Sequence, residues 1–196
     1  DYLNEQLEGD SLMFMVTDSL KVALMSDHIP LKEVVGYLNE EKINAKIASL
    51  EKSLSQDFGI QRPKIAVLGI NPHTGDNGVI GDEDDTLLTP VIKKWNEKGS
   101  LVFGPYAADG FFGNQRYTKF DGVLATYHDQ GLIPFKTLSF GQGVNFTAGL
   151  SHVRTSPDHG TAFDIAGKGV ADASSFSEAV YTARAIFLQR KEVNFS

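Results

Sequence analysis

The sequence predicts a layered α/β fold around a substantially parallel sheet, and three observations point to it. Short apolar runs alternate with segments of helical periodicity. One run, Lys64 to Ile70, is apolar on both parities, the pattern of a strand buried on two faces. Several runs end in loops of Gly, Pro, Asp and His, as strands do where ligands collect at their carboxyl ends. At 196 residues the chain has room for one good-sized core, or for two small ones sharing an interface.

Taken in order, Ser11 to Val16 and Leu20 to Met25 are β-leaning runs. The polar gap between them, Thr17-Asp18-Ser19, suits a hairpin, with helix as the alternative for the stretch. After Pro30, Val34, Leu38, Ile43, Ile47, Leu50 and Leu54 predict a long helix ending near Phe58-Gly59. The strand Lys64 to Ile70 runs directly into a Gly-rich loop. Thr86 to Lys98 reads as a second helix with Pro90 in its first turn, where a missing N–H costs nothing, and with Gly99 closing it. Leu101 to Phe103 and Gly122 to Tyr127 are further strands. The last helix, Ser175 to Arg190, places Phe176, Val180, Ala183 and Phe187 on one face. No internal repeat or linker interrupts the pattern.

Composition narrows the function. Eighteen Lys and Arg against 25 Asp and Glu give a net charge of −7, and the basic residues are not gathered, so nucleic acid is not the expected partner. The absence of Cys removes disulfides, thiolate nucleophiles and sulfur-ligated metals, and fits a cytoplasmic setting. The longest apolar runs fall far short of the roughly 20 residues of a membrane span. The acidic start, Asp1 to Asp10, does not read as a signal peptide. Opening on Asp1 rather than Met predicts a processed or shortened product.

Three of the five histidines share a context. His28, His73 and His128 each stand just beyond a strand, in Asp-His-Ile-Pro, Asn-Pro-His-Thr-Gly and Tyr-His-Asp-Gln-Gly. Three imidazoles meeting there would hold a divalent metal and leave positions open for substrate. The bland reading is three unrelated loop residues. The loop Asn71 to Gly81 matches neither the P-loop nor the Rossmann fingerprint, and its glycines suit either a close ligand or a turn-rich connection. Lys136, Asn145 and Arg154 recur at intervals of nine beside Gly-bearing segments. An ammonium, an amide and a guanidinium make a phosphate cradle if they converge, and three surface polar residues if they do not. Asp109 and Asp129 are candidate proton acceptors or partners of the histidines. Asp158-His159 is expected to cap or turn into a helix near Thr161.

These motifs together resemble one family. Leu68 to Asp76, Gly104 to Asp109, Tyr127 to Leu132, Gly141 to Asn145 and Arg154 to Thr161 look, in order, like the 4-hydroxythreonine-4-phosphate dehydrogenases of pyridoxal phosphate biosynthesis. The resemblance implies a fold similar to isocitrate and isopropylmalate dehydrogenases, with two α/β domains flanking a cleft and an active site completed across a homodimer. It places His28, His73 and His128 on the family's metal ligands, with zinc favoured and magnesium, cobalt or manganese as alternatives. Lys136, Asn145 and Arg154 fall on its substrate-binding positions, and Asp109, Asp129 and Lys136 among its catalytic groups.

The implied reaction is NAD-dependent oxidation of a small phosphorylated hydroxy acid, 4-phosphooxy-L-threonine, followed by decarboxylation. Rival readings are a dehydrogenase of threonate or erythronate 4-phosphate and a non-catalytic metal- and phosphate-binding domain. The front of the chain is much shorter than in the family. The expectation is therefore a partial chain, 1–196, carrying the second domain at about 10–165 and a C-terminal helical segment at about 166–196 that returns toward a first domain.

Overall fold

The computed structural model describes residues 11–139 and 141–194, so the acidic start lies outside the described residues. β1 (Leu12–Val16) and β2 (Lys21–Leu24) form the predicted antiparallel hairpin. Thr17 closes its connection: the Thr17 amide donates to the Leu20 carbonyl at 2.9 Å, and the Thr17 hydroxyl oxygen accepts the Leu20 amide at 3.0 Å.

The helix expected after Pro30 is broken in two. A 3-10 turn, Leu31–Glu33, leads into α1 (Val34–Tyr37), Leu38 is extended, and α2 (Glu40–Gln56) starts afresh. Leu38 to Ile43 is a step of five, which one helical stripe cannot take up. Asn39 lies in that gap and caps α2 by accepting the Lys42 amide at 2.9 Å. Ile43, Ile47, Leu50 and Leu54 are fully buried along the inner face of α2. Gly59, at φ +68°, ends the helix. The Ile60 amide returns to the Leu54 carbonyl at 3.0 Å and the Gly59 amide to the Ser55 carbonyl at 3.1 Å, which satisfies carbonyls of the last turn.

β3 (Lys64–Leu68) follows, then the Gly-rich loop. A π-type turn, Asp84–Leu88, runs on into α3 (Thr89–Glu97), which carries Pro90 in its first turn as expected. The remaining elements are β4 (Leu101–Tyr106), α4 (Ala108–Gly113), β5 (Gly122–Ala125), α5 (His128–Ser139), β6 (Val144–Ala148), β7 (Arg154–Pro157) and α6 (Ser174–Asn194).

The seven strands form one sheet in the order β4-β3-β5-β2-β1-β6-β7. It has two halves: β4, β3, β5 and β2 pair in parallel, while β1, β6 and β7 join antiparallel. Helices cover both faces. On one, α2, α3 and α6 pack over Phe14, Ile65, Val67, Leu124 and Phe146. On the other, Phe111 of α4 and Leu132 and Phe135 of α5 pack over Met15, Val22, Ala66 and Val123.

Three features differ from expectation. α5 is a helix although its sequence, with Gly131 and Pro134, reads as a loop. Gly131 lets it lie directly on the sheet, because a Cβ there would stand 2.9 Å from both Ala125 Cβ and a Leu24 methyl. No helix begins near Thr161. Phe163–Ile165 is a single 3-10 turn, and α6 starts at Ser174, whose amide donates to Asp172 at 2.8 Å. Finally, Phe176, Val180 and Phe187 of α6 are 63%, 52% and 51% exposed, and it is Ala179 and Ile186 that face the core.

Candidate functional site

The parallel half of the sheet positions the first group of residues. Because β4, β3, β5 and β2 all run the same way, their carboxyl ends share one edge. Beyond those ends stand Asp109, His73, His128 and His28, in that spatial order. Residues far apart in sequence thus become neighbours along one edge.

His28 and His128 adjoin, with ring centroids 5.7 Å apart, and line a cavity of about 290 Å³. His128 Nδ1 lies 2.7 Å from Asp129 Oδ1; a carboxylate accepts, so Nδ1 carries the proton and Nε2 keeps the lone pair that a metal ligand requires. His73 and Asp109 line a second cavity of about 320 Å³. Tyr127 forms part of the wall of both. Among the described residues, no three His, Asp or Glu side chains are close enough to hold one ion together. Within this chain the geometry pairs two of the three histidines and leaves His73 on the far side of Tyr127. An imidazole pair backed by a carboxylate is a donor set that suits zinc and its first-row neighbours.

The loop carrying His73 is under strain. His73, Thr74, Gly75, Asp76, Asn77 and Gly78 all have φ between +46° and +86°, a left-handed turn. Asp, Asn and His tolerate this region, whereas a β-branched residue such as Thr74 rarely adopts it. The loop is held from below by Asp84, a fully buried carboxylate whose two oxygens accept the amides of Ile70 at 2.8 Å and Asn71 at 2.9 Å. The Asn71 amide group also donates to Glu83 at 2.7 Å. Its hydrogen bond to Asn71 and, more strongly, one to its own backbone amide hold the Glu83 carboxyl below its ordinary pKa. A Cβ at Gly75 would collide with the Gly81 carbonyl oxygen. Sequence reading missed Asp84 and Glu83. The signal was a run of acids, Asp82 to Asp85, directly ahead of a helix.

The antiparallel half positions the second group. Along β6, Val144, Phe146 and Ala148 are buried while Asn145 and Thr147 point to the other face. Asn145 pairs with Ser156, and Thr147 with Arg154, so all four share the face covered by α5. Arg154 Nη1 donates to Thr147 Oγ1 at 3.2 Å. Lys136, on α5, lies 3.1 Å from Asp158 Oδ1 and 3.3 Å from the Asp158 carbonyl. Asp158, expected to cap a helix, is instead the counter-ion of Lys136. Asn145 and Arg154 therefore share one face of the sheet, Lys136 reaches the end of β7 through Asp158, and α5 runs between the two groups: Asp129, Ile133 and Lys136 form an exposed stripe along it.

Comparison with known proteins places the chain in a family. The family model for the pyridoxal phosphate biosynthetic protein PdxA matches residues 1–183. A 4-hydroxythreonine-4-phosphate dehydrogenase of Bacteroides thetaiotaomicron is 50% identical over 193 residues, covering 97% of this chain and 53% of that protein. One from a Sulfurihydrogenibium species is 47% identical, covering 97% of this chain and 58% of the relative. Among solved structures, that of the Klebsiella pneumoniae 4-hydroxythreonine-4-phosphate dehydrogenase superposes with a TM-score of 0.82 at 40% identity, covering 94% of this chain and 56% of that one. A terephthalate 1,2-cis-dihydrodiol dehydrogenase of Burkholderia xenovorans shares the fold at a TM-score of 0.72 and 28% identity. The chain spans somewhat over half the length of these relatives. It belongs to the PdxA family of pyridoxal phosphate biosynthetic proteins.

Proposed function

We propose that this chain is the metal- and phosphate-binding part of an NAD-dependent oxidoreductase. The reaction takes 4-phosphooxy-L-threonine to 2-amino-3-oxo-4-phosphooxybutanoate, which loses carbon dioxide to give 3-amino-2-oxopropyl phosphate, on the route to pyridoxine 5'-phosphate. The observation that carries this reading is the single edge on which Asp109, His73, His128 and His28 follow one another, next to the group of Lys136, Asn145 and Arg154.

His28, His73 and His128 would hold a divalent ion, zinc first, with magnesium, cobalt or manganese as alternatives. When bound, such an ion lowers the pKa of the substrate's secondary alcohol as a Lewis acid. Asp109 or Asp129 would accept the alcohol proton, and a bound nicotinamide would supply the hydride acceptor. Arg154, with its fork of donors, and Asn145 and Lys136 hold the phosphate. That grip, remote from the reacting carbon, fixes its orientation. To do so Lys136 must exchange its Asp158 partner for the phosphate, a like-for-like swap of one anion for another.

His73 stands apart from the His28–His128 pair, and His28 and His73 are both exposed. This supports a homodimer in which the ligand set is completed between subunits. The exposed apolar face of α6, with Phe176, Val180 and Phe187, supports an isocitrate dehydrogenase-like layering. In that layering residues of about 166–196 lead back to a further domain beyond the central unit of about 10–165. The setting proposed is the cytoplasm; among the described residues no helix is long and apolar enough to cross a membrane.

The test is calorimetric and spectroscopic. Zinc-loaded chain should bind the phosphorylated substrate, and His28→Ala should abolish zinc uptake. NADH formation from 4-phosphooxy-threonine, and not from threonate or erythronate 4-phosphate, would fix the substrate. Zinc affinity unchanged in His28→Ala, together with no binding of any phosphorylated four-carbon acid, would overturn the reading.

A further inference from the structure

We propose that Gln130 is a positioning residue that sets the distance between the His73 arm and the His28–His128 arm of the site. The inference rests on the metal-site reading above. Its basis is where the β3–β5 ladder stops. The register pairs Ile65 with Gly122 and Val67 with Leu124, so its continuation would bring Gly69 opposite Thr126. Instead the side-chain amide of Gln130 stands between them. Its Nε2 donates to the Gly69 carbonyl at 2.6 Å, and its Oε1 accepts the Thr126 amide at 2.8 Å. A carbonyl faces one end and an N–H the other, so the chemistry of the partners fixes the orientation of the amide.

A side-chain amide carries the same donor and acceptor as a peptide unit, so Gln130 acts as a one-peptide spacer that splays two neighbouring strand ends without leaving their polar groups unpaired. The bracing extends sideways. The Gly69 amide donates to the Tyr106 carbonyl at 2.8 Å, and the Ser26 hydroxyl donates to the Thr126 carbonyl at 2.7 Å. Thr126 and Ser26 are buried, and the Thr126 hydroxyl, 2.9 Å from Gln130 Oε1, also lies 3.2 Å from the Gly69 carbonyl and so adds a second, shorter bridge beside the Gln130 amide. The anchors precede the histidines by short, fixed runs: Gly69 by four residues, Thr126 and Ser26 by two. Tyr127, the wall between the two cavities, hangs from this brace at Thr126, and Gln130 itself lines the His73 cavity. The spacer therefore separates the two arms by a set amount.

The experiment uses the chain in whatever assembly it adopts in solution, with zinc affinity measured against a competing chelator and the visible spectrum of bound cobalt as a report on coordination geometry. Gln130→Met keeps the volume and removes both hydrogen bonds. It should weaken zinc binding about 10–100-fold and alter the cobalt bands while circular dichroism stays unchanged. Gln130→Glu keeps the acceptor for Thr126 and loses the donor to Gly69, so it should show the same spectral change; it serves also if the Met variant does not fold. His128→Ala is the separate control on the metal site. If His128→Ala loses zinc while both Gln130 variants keep wild-type affinity and spectrum, the spacer role is overturned and the metal site stands. If His128→Ala binds as well as the unaltered chain, the metal site falls and the spacer role with it.

Discussion

The two halves of the sheet present their functional groups in opposite ways. In the parallel half, β3, β5 and β2 are largely buried on both faces and β4 forms the partly exposed edge, and the strands place Asp109, His73, His128 and His28 beyond their ends. In the antiparallel half, Asn145 and Arg154 sit on the strands themselves, held in register by cross-strand pairing. One half needs loops braced by side chains such as the buried Asp84 and the partly buried Gln130. The other gets its rigidity from the ladder. In the proposed reading, the ion site would be built on the first and the phosphate grip on the second.

The largest expected effect lies in the bracing. Asp84→Ala strips two amides, Ile70 and Asn71, of their acceptor, and each donor left unsatisfied costs about 1–3 kcal/mol. The expected loss is about 2–4 kcal/mol in urea unfolding, with faster hydrogen exchange confined first to residues 70–82. Asn145→Ala, on the braced ladder, should cost roughly 0.5 kcal/mol or less. Equal costs for the two variants would erase the distinction between a propped loop and a self-supporting strand.

A smaller effect tests the strain itself. Thr74 holds φ +52° against its branched side chain, so Thr74→Gly should stabilise the chain by about 1 kcal/mol. A lower melting temperature in Thr74→Gly would mean that the left-handed turn is not strained at this residue, and that the Thr74 methyl packing against Gly69 matters more.

The same division explains what the sequence made legible. Loop ligands were visible because each follows an apolar run directly: Leu24-Met25 before His28, Leu68 before His73, Leu124-Ala125 before His128. Strands β6 and β7 escaped notice even though Val144-Asn145-Phe146-Thr147-Ala148 alternates cleanly, because Gly141, Gly143 and Gly149 around it read as loop. α5 was missed for a physical reason: Gly131 and Pro134 oppose a helix in isolation, and contact with β2 and β5 overrides that local preference. The stripe of Phe176, Val180 and Phe187 was read correctly as one helical face, but periodicity gives no direction, and that face turns away from this core. Whether His28, His73 and His128 share an ion was never contained in their spacing, because it depends on strand order and on what lies across the edge.

The smallest expected effect is a pH dependence of the His73 loop. In the folded chain the Glu83 carboxyl is stabilised in its ionised form, most by its own backbone amide and next by the Asn71 side chain, so its pKa lies below the ordinary value of 4.5. A group depressed in this way adds stability that is fully present above its unfolded pKa and is lost as the pH falls through the folded one. Glu83 is partly exposed, and solvent screens the contribution, so the change should be local and should not appear as global unfolding. Hydrogen exchange at residues 70–82, corrected for intrinsic rates, should accelerate as the pH drops below about 4.5. Glu83→Gln, with no charge to lose, should show a flat profile over the same window. A protein whose loop and whose β6–β7 ladder respond alike to acid, with or without Glu83, would show that the loop does not depend on this brace and that its shape is set by the backbone of Gly75 to Gly81 alone.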